Sequence, residues 1–429
     1  LALGQWIAGP RIDRYLVFQI AILSTIPALL FLLGKKYAGY AGGLFLASLA
    51  ILLHQNEIIL YRLVGGVNAK VENTELLTAL FLILLCFTVF KWWNQSNKLI
   101  WASISGAILG GASLLRLNPL FVAPVIILAT LIFGWKRKKS LFPELAVFVI
   151  GLLLVFSPAI ASARDSQGQN YYLAKIQSVI AERYPIKGVT ETLPEPLQTV
   201  PLQQPSSDYY QNDFIYPLVE NEPNDGMNII TYFLNNQYSS LAILPTNFSF
   251  ISINDQVRQP LWNFDSRKLI WNANLSIENI VALAINCLVV IIGIWVSIKK
   301  HGVAGLTALL VQIGYNFGNA AAKTSGGRYL QPVNWVTLLY FSIGVVAISS
   351  IVLRVCRPAS TENPEFKTAI TDEENNREKY PSKRQIMKLS GLMILFLALG
   401  LLVPLMNHLP SRLPHEVNSN ANQLAVDKL

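Results

Sequence analysis

The sequence is poor in charged residues: Asp, Glu, Lys and Arg make up 14% of its 429 residues, against roughly 25% in an ordinary soluble domain. Hydrophobic residues make up 52% of it, and apolar runs long enough to cross a bilayer recur along the chain. A soluble globular protein is therefore excluded, and an all-α polytopic membrane protein is predicted. The net charge of +9 does not indicate a nucleic-acid partner, because the basic excess lies in loops between the apolar runs.

Cysteine and histidine are scarce as well, with three and four residues. The cysteines Cys86, Cys287 and Cys356 all lie outside the long polar interval 164–276, so that interval contains no disulfide. The histidines have no metal-ligand spacing. The sequence contains no Walker, Rossmann or nucleophile-elbow motif, so nucleotide chemistry has no support.

Ten apolar segments predict about ten transmembrane helices, at residues 15–33, 41–53, 76–90, 99–115, 120–135, 145–162, 280–298, 303–319, 329–353 and 390–406. The interval 164–276 has no membrane-length apolar run, so it is predicted to form an exterior α/irregular domain between helices six and seven. The predicted division of the chain is therefore 1–163 (six helices and short exterior loops), 164–276 (exterior domain), 277–353 (helices seven to nine), 354–388 (flexible cytoplasmic linker), 389–407 (last helix) and 408–429 (exterior tail).

The basic residues predict the orientation. With strictly alternating helices, the connections on one side hold 18 Lys or Arg, and the short loops on the other side hold 5. The first side is predicted to be cytoplasmic, which makes the interval 164–276 periplasmic or extracellular in a plasma (inner) membrane. Residues 1–14 then lie outside. We expect one more helix, with its own exterior loop, before Leu1.

Two acids of the exterior loop 54–75 are candidate site residues. Glu75 directly precedes an apolar run and therefore opens a helix, where the helix dipole favours a carboxylate. It is either a simple first-turn acid or an acid at the mouth of a membrane cavity, where it binds a hydroxyl acceptor or a metal. Glu72 is its rival in the same loop. A divalent cation is possible, and no metal ligand is assigned.

Arginines at exterior helix ends form the second set of candidates. Arg116 lies between two apolar segments, and Arg164 ends the sixth. Arg328 and Tyr329 follow two glycines, whose backbone can approach a ligand closely. Each arginine alone is explained by snorkelling to the interface. Together they oppose the positive-inside trend and favour an anionic exterior ligand, because guanidinium binds phosphate bidentately.

Two other patterns indicate structure. Gly106 and Gly110 form a GxxxG pair that predicts close helix packing. Trp92 and Trp93, next to Lys91, are predicted to be interfacial anchors.

The order of these features resembles that of membrane glycosyltransferases of the GT-C fold, specifically the bacterial dolichyl-phosphate-mannose–protein mannosyltransferase-like proteins and the aminoarabinose lipid A transferases. The similar elements are a basic turn and Gly/Ala-rich helix (35–53), Tyr61-Arg62, Thr74-Glu75, Arg116-Leu117-Asn118-Pro119, Pro158 with Arg164-Asp165, and Gly327-Arg328-Tyr329-Leu330-Gln331-Pro332. The resemblance covers roughly residues 10–165 and 300–353.

The resemblance implies a transferase that moves a sugar from a polyprenyl-phosphate donor to a lipid, glycan or protein acceptor on the exterior face. Glu75 or Glu72 would be the catalytic acid or base, and Arg62, Arg116, Arg164, Arg328 and Tyr329 would bind substrate. In that family the main catalytic acid lies in the first exterior loop, which would precede Leu1, so this chain alone is expected to be inactive. The alternatives are a transporter or lipid flippase, and a non-catalytic envelope-polysaccharide assembly protein.

Overall fold

A computed structural model describes residues 12–60, 74–95, 97–134, 138–163, 170–184, 228–241, 243–245, 277–324, 327–356, 387–388 and 390–398. Within them the chain is almost entirely helical. The helices are α1 (Ile12–Leu23), α2 (Thr25–Leu60), α3 (Glu75–Asn94), α4 (Lys98–Leu115), α5 (Val122–Gly134), α6 (Lys138–Ser162), α7 (Tyr171–Arg183), α8 (Ile229–Leu241), α9 (Ile277–His301), α10 (Thr307–Ala321), α11 (Gly327–Leu330) and α12 (Asn334–Cys356). Short 3-10 turns precede α5, α10 and α12 at Asn118–Phe121, Gly302–Leu306 and Gln331–Val333. Residues 390–398 are helical too.

Six stretches of the described helices are long and apolar enough to cross a membrane: Gln19–Gln55, Glu75–Asn94, Lys98–Leu115, Leu141–Ser162, Ile280–Ala321 and Gln331–Leu353. The apolar stretch Asn118–Gly134 is shorter. The chain therefore has the helices of an all-α membrane protein, as its composition predicted.

The first of these stretches is a helical hairpin. Ala38 and Gly39 leave the helical conformation, and Gly39 has a φ of +77°. A Cβ atom built on Gly43 would lie 2.6 Å from the carbonyl oxygen of Phe31. In one straight helix these two residues would be about 18 Å apart along the axis. The chain therefore doubles back at Ala38–Gly39, where the sequence predicted a break between two segments.

The stretch Ile280–Ala321 also turns back on itself. Gly302 adopts a positive φ of 57° after α9 ends. The Ser297 hydroxyl then donates a hydrogen bond of 3.0 Å to the carbonyl of Gly305, across the turn. This turn separates α9 from α10, again where the sequence predicted two segments.

The GxxxG pair lies where two helix backbones meet. A Cβ atom on Gly106 would collide with the carbonyl oxygen of Phe148 on α6, and one on Gly110 would lie 2.8 Å from that of Leu152. The two glycines therefore allow α4 and α6 to pack backbone against backbone, which is the use the sequence predicted for them.

Lysines collect at one end of the helix bundle. Lys300, at the end of α9, donates a hydrogen bond of 3.1 Å to the carbonyl of Tyr37 in the turn of α2. The Lys36 ammonium lies 4.0 Å from the ring centre of Phe90. Phe90 immediately precedes Lys91, which is in the last turn of α3. We call this the basic end. The opposite end, where α3 begins and α4 stops, is the Glu75 end.

Trp92 is not an interfacial anchor, so that prediction was wrong. Its side chain is fully buried and stacks on Phe148. The indole N–H donates a hydrogen bond of 2.9 Å to the carboxylate of Glu144 on α6, which is itself buried. A tryptophan can leave the interface when its single polar atom finds a buried partner, and the buried acid on α6 provides that partner.

Candidate functional site

Glu75 and Arg116 form an ion pair at the Glu75 end. Helix α3 begins at Glu75, and α4 returns antiparallel and ends just before Arg116, so both residues reach the same end of the bundle. The Arg116 Nη1 atom lies 2.6 Å from Glu75 Oε1, and the side chains are only 14% and 5% exposed. The backbone of Arg116 is extended, with φ −150° and ψ 146°, because the helix has ended there. Charges this well buried attract each other far more strongly than a surface pair does.

Two tyrosines surround the guanidinium. The Arg116 Cζ atom lies 5.6 Å from the ring centre of Tyr329, within the range of a cation–π contact. Burial alone would lower the pKa of Arg116, but the nearby oxygens of Tyr315 and Glu75 more than offset this effect and raise it above its ordinary value. Arg116 therefore stays a cation at any physiological pH, in a polar cluster to which α3, α10 and α11 contribute.

The helix α10 has a polar face at this cluster. Gln312, Tyr315, Asn316 and Asn319 occupy positions i, i+3, i+4 and i+7, which lie on one side of a helix. The Asn319 amide donates a hydrogen bond of 3.1 Å to the carbonyl of Tyr329, and its oxygen accepts one from Asn118. Asn319 thereby joins the turn that follows Arg116 to the short helix that carries Tyr329. It fixes their relative position.

Two parts of the polar interval 164–276 cap the C-terminal end of α10. Arg183 Nη1 donates a hydrogen bond of 2.6 Å to the carbonyl of Ala322, and the Tyr184 hydroxyl donates one of 2.6 Å to that of Ala321. From α8, the Asn236 amide donates one of 3.2 Å to the carbonyl of Thr324. The last carbonyls of a helix have no partner within it, and the helix dipole favours a cation there. These described parts of the interval therefore lie directly on the Glu75 end.

Buried polar atoms without a partner are concentrated beside this cap. Within the described residues, eight buried side-chain atoms have no hydrogen-bond partner. Seven of them belong to α8, α10 and the first residue of α12, namely to Asn236, Gln237, Ser239, Tyr315, Asn316 (both amide atoms) and Asn334. The eighth is at the basic end, on His301. An unpartnered buried polar group costs about 1–3 kcal/mol. Seven such atoms on neighbouring helices therefore favour water or a ligand among them.

The structure brings three of the seven candidate residues together: Glu75, Arg116 and Tyr329. Arg328 precedes Tyr329 in α11, but its side chain lies outside the described part. Arg62, Glu72 and Arg164 lie outside it too. Within the described residues, no group of three or more His, Cys, Asp or Glu side chains is placed to hold a metal ion.

No residue of α10 was predicted at the site, and the buried acid Glu144 on α6, which lies at the basic end, was not predicted either. The segment QIGYNFGN of α10 had a detectable signal, because four polar residues at helical spacing interrupt an otherwise apolar run. Glu144 also had one, as a single acid inside an apolar helix. The hydrogen bonds of Arg183 and Tyr184 to backbone carbonyls had no detectable signal in the sequence, because they join residues more than 130 positions apart.

Comparison with known proteins identifies no relative. No family model, no curated protein and no solved structure matches this chain. The resemblance to GT-C glycosyltransferases therefore stays a prediction that rests on the motifs themselves.

Proposed function

We propose that this protein is a GT-C-type glycosyltransferase that moves a sugar from a polyprenyl-phosphate donor to an acceptor at the outer face of a plasma (inner) membrane. The observation that carries the proposal is the meeting of Glu75, Arg116 and Tyr329 at one end of the helix bundle. Each comes from a different short motif of the resemblance. The motifs are more than 200 residues apart at their extremes, and their side chains contact one another in the fold.

The proposed topology has ten transmembrane helices, with the basic end in the cytoplasm. The lysines of that end contact aromatic rings, such as Lys36 on Phe90 and Lys91 on Trp101. Lysines and aromatic rings are both typical of cytoplasmic membrane interfaces. The Glu75 end then faces outward, together with α7 and α8 from the polar interval.

The proposed chemistry uses the two charges of the cluster, Glu75 and Arg116. Arg116 keeps N–H groups beyond the one that meets Glu75, and these bind the donor phosphate and stabilise it as the leaving group. Glu75 takes the proton of the acceptor hydroxyl as general base. The acceptor oxygen bonds to the anomeric carbon, the bond from that carbon to the phosphate oxygen breaks, and polyprenyl phosphate leaves with the electron pair. We propose Arg328, which is next to Tyr329 in sequence, as a second cation that binds the donor phosphate.

The test is release of polyprenyl phosphate by the complete protein reconstituted in lipid, with a panel of polyprenyl-phosphate sugars and lipid, glycan and protein acceptors. The wild type should release it with at least one donor. Arg116→Gln and Glu75→Gln should reduce release at least a hundredfold, whereas Lys299→Gln at the basic end should not. Release that survives in Arg116→Gln and Glu75→Gln would reject the site. Parallel reactions with EDTA determine whether a divalent cation takes part.

A transporter is the alternative that an observation favours. Gln312 and Thr337 form a buried hydrogen bond of 3.3 Å between α10 and α12, and Asn316 is buried one turn further along α10. Polar side chains within apolar helices are typical of transport pathways. Movement of a labelled polyprenyl-phosphate sugar across the membrane, with no release of polyprenyl phosphate, would favour a flippase.

A further inference from the structure

Unpartnered buried polar atoms lie on α8, α10 and α12, three helices that pack against one another, and we call this set the polar seam. Helix α8 packs against both α10 and α12. The seam residues Asn236, Ser239, Tyr315, Asn316 and Asn334 are each at least nine-tenths buried. Other buried amides of this end are satisfied: Asn319 bonds to Tyr329, and Gln312 bonds to Thr337. The unpartnered atoms are therefore a local property of the seam.

The hydrogen-bonding character of the seam selects a class of ligand. Asn236, Asn316 and Asn334 offer amide oxygens as acceptors. Gln237 and Asn316 offer amide N–H donors, and Ser239 and Tyr315 have hydroxyls that both donate and accept. Mixed donors and acceptors match hydroxyl groups. A phosphate would face three acceptor oxygens that repel it, because it has nothing to donate to them.

The seam continues from the ion pair. Tyr315 lies within electrostatic reach of both Arg116 and Glu75. The next residue, Asn316, is one turn from Asn319, which holds Tyr329. A ligand with an anionic group on Arg116 would therefore extend its neutral part toward the seam.

We propose that the polar seam is a binding site for a neutral polyhydroxyl group, a sugar, formed by side chains of α8 and α10. Asn236 and Ser239 contribute from α8 and Asn316 from α10. The choice of a sugar attached to a lipid phosphate rests on the proposed function. The prediction that the seam binds a sugar is independent of the proposed function, because it follows from the hydrogen-bonding groups of the seam. The helix α8 belongs to the polar interval, so that interval would contribute directly to sugar selection.

The experiment measures the thermal midpoint of the purified full chain in detergent, with methyl glycosides of mannose, glucose, galactose, arabinose and N-acetylglucosamine. A ligand that binds only the folded state raises the midpoint with its concentration. We expect at least one glycoside to raise it. The Asn316→Leu variant should weaken this response at least tenfold. The matched control is Asn286→Leu, a buried amide on α9 that belongs neither to the seam nor to the polar face of α10, and it should keep the response.

The variants also report on the seam without a sugar. Asn316→Leu removes two unpartnered atoms, so its midpoint without ligand should be equal to or above that of the wild type. If this variant fails to fold, Ser239→Ala tests the same seam with a smaller change. If no glycoside shifts the wild type, or if the shift persists in the seam variant that folds, the seam holds water only and the proposal is wrong.

The release assay separates this inference from the proposed function. A glycoside shift that is lost in the seam variant, without any release of polyprenyl phosphate by the wild type, would keep the sugar site and reject the transferase. Release without any glycoside shift would keep the transferase and reject the seam.

Discussion

The ion pair between Glu75 and Arg116 should behave as a strongly coupled buried pair. Its N–O distance is 2.6 Å, and its side chains are 14% and 5% exposed. Unit charges 4 Å apart attract by about 4 kcal/mol at an effective dielectric constant of 20. Removal of one partner from a buried pair costs about 3–5 kcal/mol, because the other charge is left buried alone. Glu75→Leu and Arg116→Leu should each lose that much unfolding free energy.

The double variant Glu75→Leu/Arg116→Leu decides whether the loss comes from the pair. It should be at least about 3 kcal/mol more stable than the sum of the two single losses predicts, since no charge is left unpaired. Reversible unfolding in mixed detergent micelles measures all four proteins. The control Lys299→Leu removes an ammonium 3.9 Å from the ring centre of Trp295 at the basic end, and it should cost under about 1 kcal/mol. Single losses below about 1 kcal/mol with a coupling below about 0.5 kcal/mol would show that the pair does not form.

Two further predictions concern packing. Gly106→Ala places a methyl group against the backbone of α6 and should lower unfolding free energy by about 1–3 kcal/mol. At Gly391 a Cβ meets nothing within 4 Å, so Gly391→Ala should leave the unfolding free energy unchanged or raise it by up to about 1 kcal/mol, since alanine favours helix. Equal losses in the two variants would contradict the close packing. Trp92→Phe removes a buried hydrogen-bond donor to Glu144 and should lower unfolding free energy by about 1–3 kcal/mol. Trp93→Phe should lower it less, because the Trp93 hydrogen bond of 3.2 Å is only part-buried. A larger loss for Trp93→Phe, in the same unfolding assay, would contradict the buried position of Trp92.

The helices were predictable from the sequence because lipid imposes simple rules. A membrane helix needs a long apolar run, so α3, α4 and α12 begin and end close to the predicted segments. The hairpin turn at Gly39 was predictable for the same reason, since two apolar runs flank a basic turn. The GxxxG pair also indicated its role directly, because only a residue without a side chain allows backbones this close.

The pairings between distant residues were not predictable. Arg116 and Tyr329 were each visible as unusual residues at helix ends, but nothing in the sequence specified that one packs on the other. The burial of Trp92 could not be predicted either, because it depends on a hydrogen bond to Glu144 of α6. Local patterns determine where helices begin and end, whereas the neighbours of a side chain depend on how separate helices pack.

Binding of polyprenyl phosphate, without any sugar, to the purified complete protein tests most directly whether Arg116 holds the donor phosphate. Titration of a labelled polyprenyl phosphate gives the affinity of the wild type, Arg116→Gln and Lys299→Gln. We expect saturable binding that weakens at least tenfold in Arg116→Gln, about 1.4 kcal/mol, and is unchanged in Lys299→Gln. Equal affinity for Arg116→Gln and the wild type, in folded protein, would contradict the assignment of Arg116 as the phosphate ligand and with it the proposed transferase site.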